Sequence, residues 1–98
     1  MTTTKTVQAR MTTKGLRIFL EGSYLDSVGF HHRTSYNIVM DNDAVYITIN
    51  GMGKRTVSGN TSRPVIDMQS KALSTVFNEG MVNVDLSYAE GIIITQGE

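Results

Sequence analysis

Apolar side chains in this chain recur at every second position, in runs too short for a substantial helix. Val7, Ala9 and Met11 alternate with Gln8, Arg10 and Thr12. Tyr36, Ile38 and Met40 alternate with Asn37 and Val39, and Val45, Ile47 and Ile49 alternate with Tyr46 and Thr48. A strand turns successive side chains to opposite faces, so this period predicts strands with one buried face. Leu16 to Leu20, Val65 to Met68, Met81 to Leu86 and Ile92 to Thr95 extend the set. Turn-forming residues separate them: Lys14-Gly15, Asp41-Asn42-Asp43, and Ser87 to Gly91. Only two stretches have helical spacing: Tyr24, Leu25 and Val28, and then Leu73, Val76 and Phe77. Ser23 and Asp26 stand where a weak capping box would begin the first of these, and Gly29 where a left-handed residue would end it. The fold class is therefore mostly β, within the α+β type.

The order strand, short helix, strand, turn, strand occurs twice. Leu25 matches Leu73, Val28 matches Val76, Asn37 matches Asn83 and Thr48 matches Thr95, at spacings of 46 to 48 residues. The rival explanation is chance recurrence among alternating apolar residues. As a true repeat, it predicts two degenerate β-α-β-β halves related by a pseudo-two-fold and closing one small barrel, because neither half can bury both faces of its strands alone. The predicted organisation is a disordered tip at 1–6, a first half at 7–49, a basic Gly-rich hairpin or loop at 50–63 and a degenerate second half at 64–98. The barrel closes within one chain or between two copies.

The chain contains no cysteine, which excludes disulfides, thiolate metal sites and a Cys nucleophile. No apolar run approaches a membrane-spanning length and Met1 to Thr6 has no signal-peptide core, so a cytoplasmic location is expected. Net charge is zero, but residues 1–63 hold eight Lys and Arg against four Asp and Glu, while residues 64–98 hold one against five. That split predicts one basic and one acidic face, and a basic face attracts phosphates.

Two segments carry a family resemblance. Thr13-Lys14-Gly15-Leu16-Arg17-Ile18-Phe19-Leu20 resembles the AbrB-type segment in which a strand turns at a Lys-Gly pair and returns as an apolar strand. Leu20-Glu21-Gly22-Ser23-Tyr24-Leu25-Asp26-Ser27-Val28-Gly29-Phe30 resembles the SymE form of that family. Tyr24 stands where the family usually has Trp, and His31-His32-Arg33-Thr34 where it usually has a Gly. The resemblance covers about residues 7–49, with a fainter echo in 64–95. It implies a swapped-hairpin β-barrel, dimeric in relatives, that binds DNA or RNA as an addiction-module toxin of bacteria or as a DNA-binding regulator, without a cofactor. It also implies phosphate contacts by Arg10, Lys14 and Arg17, which lie on or beside the first hairpin. Arg33, Lys54 and Arg55 are candidates by position only.

Other chemistry is weakly signalled. His31 and His32 are adjacent, so in extended chain they point to opposite sides and suit one metal poorly. They remain the candidates for acid–base cleavage of RNA. Asp41-Asn42-Asp43 lacks the later residues of a calcium loop, and Gly51, Gly53 and Lys54 lack P-loop spacing. The alternative to nucleic-acid binding is a protein-interaction module, such as a phage or mobile-element inhibitor docking on a host protein. Zero net charge and the acidic second half favour it.

Overall fold

The computed structural model describes residues 4–86 and 91–97. Along the chain run β1 (Thr4–Thr12), β2 (Gly15–Glu21), helix α1 (Tyr24–Ser27), β3 (Ser35–Met40), β4 (Ala44–Ile49), β5 (Arg55–Thr56), β6 (Ser58–Asn60), β7 (Arg63–Ser70), a 3-10 turn (Ala72–Thr75), β8 (Gly80–Asp85) and β9 (Gly91–Gln96). The strands form one antiparallel sheet in the order β5-β3-β4-β9-β8-β1-β2-β7-β6. Its two outermost strands are consecutive in the chain, with Val57 alone between them. The Val57 N–H donates to the Thr34 carbonyl, and the Val57 carbonyl accepts from the Arg33 N–H. The sheet thus curls into a nearly closed antiparallel barrel.

Two segments cross from one side of the barrel to the other. β1 pairs with β8 through Thr4–Ala9 and with β2 from Arg10 onward. The β5–β6 segment does the same, pairing with β3 through Arg55 and Thr56 and with β7 from Ser58 onward. The registers of these crossings correspond. Thr12 faces Gly15 and Asn60 faces Arg63 across two-residue turns, and each member of the second pair lies 48 positions after its counterpart. Gln8 faces Met81; 48 positions after Gln8, Thr56 faces Ser35, which lies 46 before Met81.

Alternation decides what is buried. Leu16, Ile18 and Leu20 of β2, Val45 and Ile47 of β4, Ile66 and Met68 of β7, Val82 and Val84 of β8, and Ile92 and Ile94 of β9 all point inward. Leu25 and Phe30 from the α1 region and Leu73 and Phe77 from the 3-10 region complete one core. Phe30 meets Tyr36 edge-on, ring centres 6.1 Å apart at 72°, a favoured aromatic geometry. Met11, Met40 and Ile49 share the inward register but stand near strand ends, where they stay exposed.

Several local expectations change. Thr4–Thr6 are not a loose tip; they pair with Asn83, Val84 and Asp85. Residues 50–63 resolve into the hairpin alternative, with β5 and β6 as paired strands. The first turn is Thr13-Lys14, and Gly15 already belongs to β2. Ser23 makes no side-chain cap, and α1 spans only four residues. Gly29, at φ +94°, does take the left-handed conformation after α1. The second helical stretch is a single 3-10 turn. Of the predicted turn at Ser87 to Gly91, residues 87–90 lie outside the described residues and Gly91 opens β9. Among the described residues, no helix is long and apolar enough to cross a membrane.

Candidate functional site

The β1–β2 hairpin carries its polar residues outward because its apolar ones alternate inward. Ala9, Leu16, Ile18 and Leu20 are fully buried, which leaves Gln8, Arg10, Arg17 and Phe19 on the outer face. Arg10 and Arg17 are direct cross-strand partners. The four outward side chains line an open groove, sited where β1 leaves β2 to join β8. Lys14, exposed in the turn, stands at the hairpin tip.

Arg17 is held in place. Its Nε and one terminal nitrogen donate to the two carboxylate oxygens of Asp67, at 3.0 and 2.9 Å. Its guanidinium carbon lies 5.0 Å from the Phe19 ring centre. Hydrogen bonding to Asp67 and that carboxylate's charge raise the guanidinium pKa further above its ordinary value. Phe19 itself is 39% exposed, although it is a large apolar ring in the middle of a strand. Arg10 has no ion-pair partner among the described residues.

Arg33, Lys54 and Arg55 gather around the other crossing instead. Arg33 adopts φ +74° where its N–H reaches Val57. The Lys54 N–H donates to Asn37 Oδ1 at 3.3 Å. Arg55 faces Tyr36 across the β3–β5 pair. Burial raises the Tyr36 pKa; the charge and hydrogen bond of Arg55 oppose that rise and the charge of Asp67 adds to it. Asp67 therefore acts on Tyr36 as well as on Arg17.

The two histidines diverge. His31 Nδ1 lies 2.9 Å from Asp26 Oδ1, and His32 Nδ1 lies 3.4 Å from the Ser58 carbonyl oxygen. Among the described residues, no three His, Asp or Glu side chains converge on a point that could hold a metal ion.

The basic and acidic parts of the sequence interleave in the sheet. Strands of the two halves alternate around the sheet, so Asp67 of the acidic half sits on Arg17 of the basic half. Glu79 likewise accepts the Met11 N–H at 2.8 Å, and within the basic half Arg63 approaches Glu21 at 3.4 Å. Phe19, Gln8 and Asp67 were not among the sequence candidates. The signal for Phe19 lay in the period of β2: with Leu16, Ile18 and Leu20 inward, the residue between the last two must face out.

Fold and site together define a small antiparallel β-barrel with an exposed arginine–aromatic groove on one hairpin. No protein-family model, curated protein or solved structure matches the chain.

Proposed function

We propose that this chain is a non-enzymatic nucleic-acid-binding module, working in the cytoplasm, whose interface is the outer face of the β1–β2 hairpin. One observation carries the reading: Arg10 and Arg17 stand directly opposite each other beside the exposed ring of Phe19. Asp67 balances Arg17, but Arg10 has no ion-pair partner among the described residues, and an exposed ring forgoes burial. A polyanion with planar bases relieves both. Lys14 at the tip extends the cationic row for phosphate contact.

The AbrB/SymE-like, swapped-hairpin form of the barrel belongs to the same proposal. Its support is the correspondence of registers. Phe19 pairs with Asp67, 48 positions on, and Tyr46 with Ile93, 47 positions on. When a residue pairs with its own counterpart, the axis of a two-fold passes between the two, so both pairs suit two halves related by a pseudo-two-fold. The biological role that goes with it is a SymE-like toxin or an AbrB-like DNA-binding regulator.

Salt titration of binding to fluorescent DNA and RNA tests the function. Arg10 and Lys14 on phosphates give a log–log slope of about −1.4 to −1.8, and Arg10→Ala with Lys14→Ala removes most of it. Absence of binding to either nucleic acid at low salt overturns the proposal. The protein-interaction reading then takes its place. It is favoured by the neutralisation of Arg17 by Asp67 and of Arg63 by Glu21, and a partner retained after nuclease treatment would support it.

A further inference from the structure

We infer that the groove at Gln8, Arg10, Arg17 and Phe19 takes a single strand of nucleic acid, with an unpaired base lying against the Arg17–Phe19 pair; this rests on the nucleic-acid reading above. Three features of the structure lead there.

The first is a cation–aromatic pair already assembled. Asp67 grips Arg17 through two parallel hydrogen bonds, fixing the guanidinium plane, and Phe19 lies 5.0 Å from the guanidinium carbon. Guanidinium and phenyl faces are the surfaces on which nucleobases stack. Because Asp67 has already ordered the arginine, little rotamer freedom is lost when a base arrives. The ion pair that lowers the hairpin's net charge therefore also builds its stacking surface.

The second is the place of Arg10. It faces Arg17 across the β1–β2 pair and has no ion-pair partner among the described residues. It is the free cation of the groove and suits the phosphate next to the stacked base. Gln8, two residues along β1 on the same face, offers a donor and an acceptor to a base edge.

The third is one-sidedness. Under the correspondence of registers, the counterparts of Gln8, Arg10, Arg17 and Phe19 are Thr56, Ser58, Val65 and Asp67. The second set holds no cation and no ring. Proteins that read a duplex through a two-fold present the same side chains twice, matched to two half-sites. This barrel presents them once, as suits a strand with a direction and no dyad. A base within a duplex keeps both faces in the stack, so it has none to offer Phe19.

Fluorescence anisotropy on the full chain tests the inference. The probes are oligo-dT, oligo-rU and a mixed-sequence DNA duplex, each about ten nucleotides or base pairs long, a length that covers a typical single-strand site. Both single strands should bind about tenfold or more tighter than the duplex. Phe19→Ala and Phe19→Leu should each weaken single-strand binding about fivefold or more while leaving duplex binding within about twofold. Leucine keeps the apolar bulk but not the aromatic face, and circular dichroism verifies that both variants are folded. Equal affinity for duplex and single strands, or single-strand binding unchanged in both folded Phe19 variants, overturns the inference and leaves the nucleic-acid reading standing. No binding of any probe at low salt overturns both.

Discussion

At the scale of single residues, the exposed Phe19 and the buried Gly15 show how differently a sequence signal can be used. Lys14-Gly15 looks like a turn pair, yet Gly15 is required for another reason. It is buried at φ +119°, and a Cβ there would run into the Ser70–Lys71 backbone as the chain leaves β7. Gly15→Ala should therefore destabilise the protein by more than about 1 kcal/mol, read as a drop in urea midpoint. Phe30→Ala should cost about 3–5 kcal/mol, since the ring is fully buried against Tyr36. That is a large fraction of the stability of a small domain.

Tyr36 sets a pH dependence. Its folded pKa is raised, mainly by burial, above the ordinary tyrosine value of about 10. The folded chain therefore keeps the proton to higher pH than the unfolded chain. Its contribution is complete below the unfolded pKa and is lost as pH rises through the folded one. Stability should fall in that alkaline window, and Tyr36→Phe should flatten the fall; Tyr24, raised mainly by burial as well, adds in the same direction. Urea unfolding at a series of alkaline pH values measures both effects. The exposed Arg17–Asp67 bridge should matter little to stability. Asp67→Asn is expected to leave the urea midpoint close to that of the parent.

At the scale of elements, the two crossing segments hold the barrel together. β1 was legible from its alternation only over Val7–Thr12, because its start at Thr4–Thr6 is polar throughout and shows no period. The β5–β6 segment was legible only as one of two alternatives, because Arg55, Thr56, Ser58, Gly59 and Asn60 are all exposed and Val57 is its single buried side chain. One apolar residue makes no period. Val57→Asp tests that segment, since it places a carboxylate at a site 1% exposed. Buried charge without a partner is strongly unfavourable, so the variant should unfold several kcal/mol earlier, while Ser58→Asp, exposed next door, should unfold within about 0.5 kcal/mol of the parent. A similar loss in both would argue against Val57 as the staple. α1 and the 3-10 turn were foreseen as apolar clusters and came out shorter; Ser23 makes no side-chain cap at the first start, while at the second the Leu73 N–H donates to Ser70 Oγ at 3.3 Å. Packing of Leu25 and Leu73 into the core holds them.

At the scale of the molecule, the strand order makes each half depend on the other. β2 has β7 as a neighbour, β1 has β8, and β4 has β9. A peptide of residues 1–53 should therefore show little strand signal by circular dichroism. Mixing it with residues 54–98 should restore that signal, because every missing neighbour is then supplied. A well-ordered isolated first half would contradict the topology. Since one chain supplies all strands of the nearly closed ring, light scattering should report a 10.8 kDa monomer at micromolar concentration; a dimer would mean that copies exchange strands or meet through an outer face.

The sequence by itself determined the strands with a clear apolar alternation and the positions of the short helix and the 3-10 turn, because these follow from local alternation and spacing. It also marked Arg10, Lys14 and Arg17 as one hairpin's cations. Tertiary structure alone decided which strands are neighbours, and with that the electrostatics. Asp67 meets Arg17 across 50 residues of chain, so an apparent basic half and acidic half became interleaved strands with paired charges. It likewise separated Arg33, Lys54 and Arg55 from the first hairpin and turned His31 and His32 to different partners. Charge interaction depends on distance in space, and period and composition hold no information about which residues long-range pairing brings together.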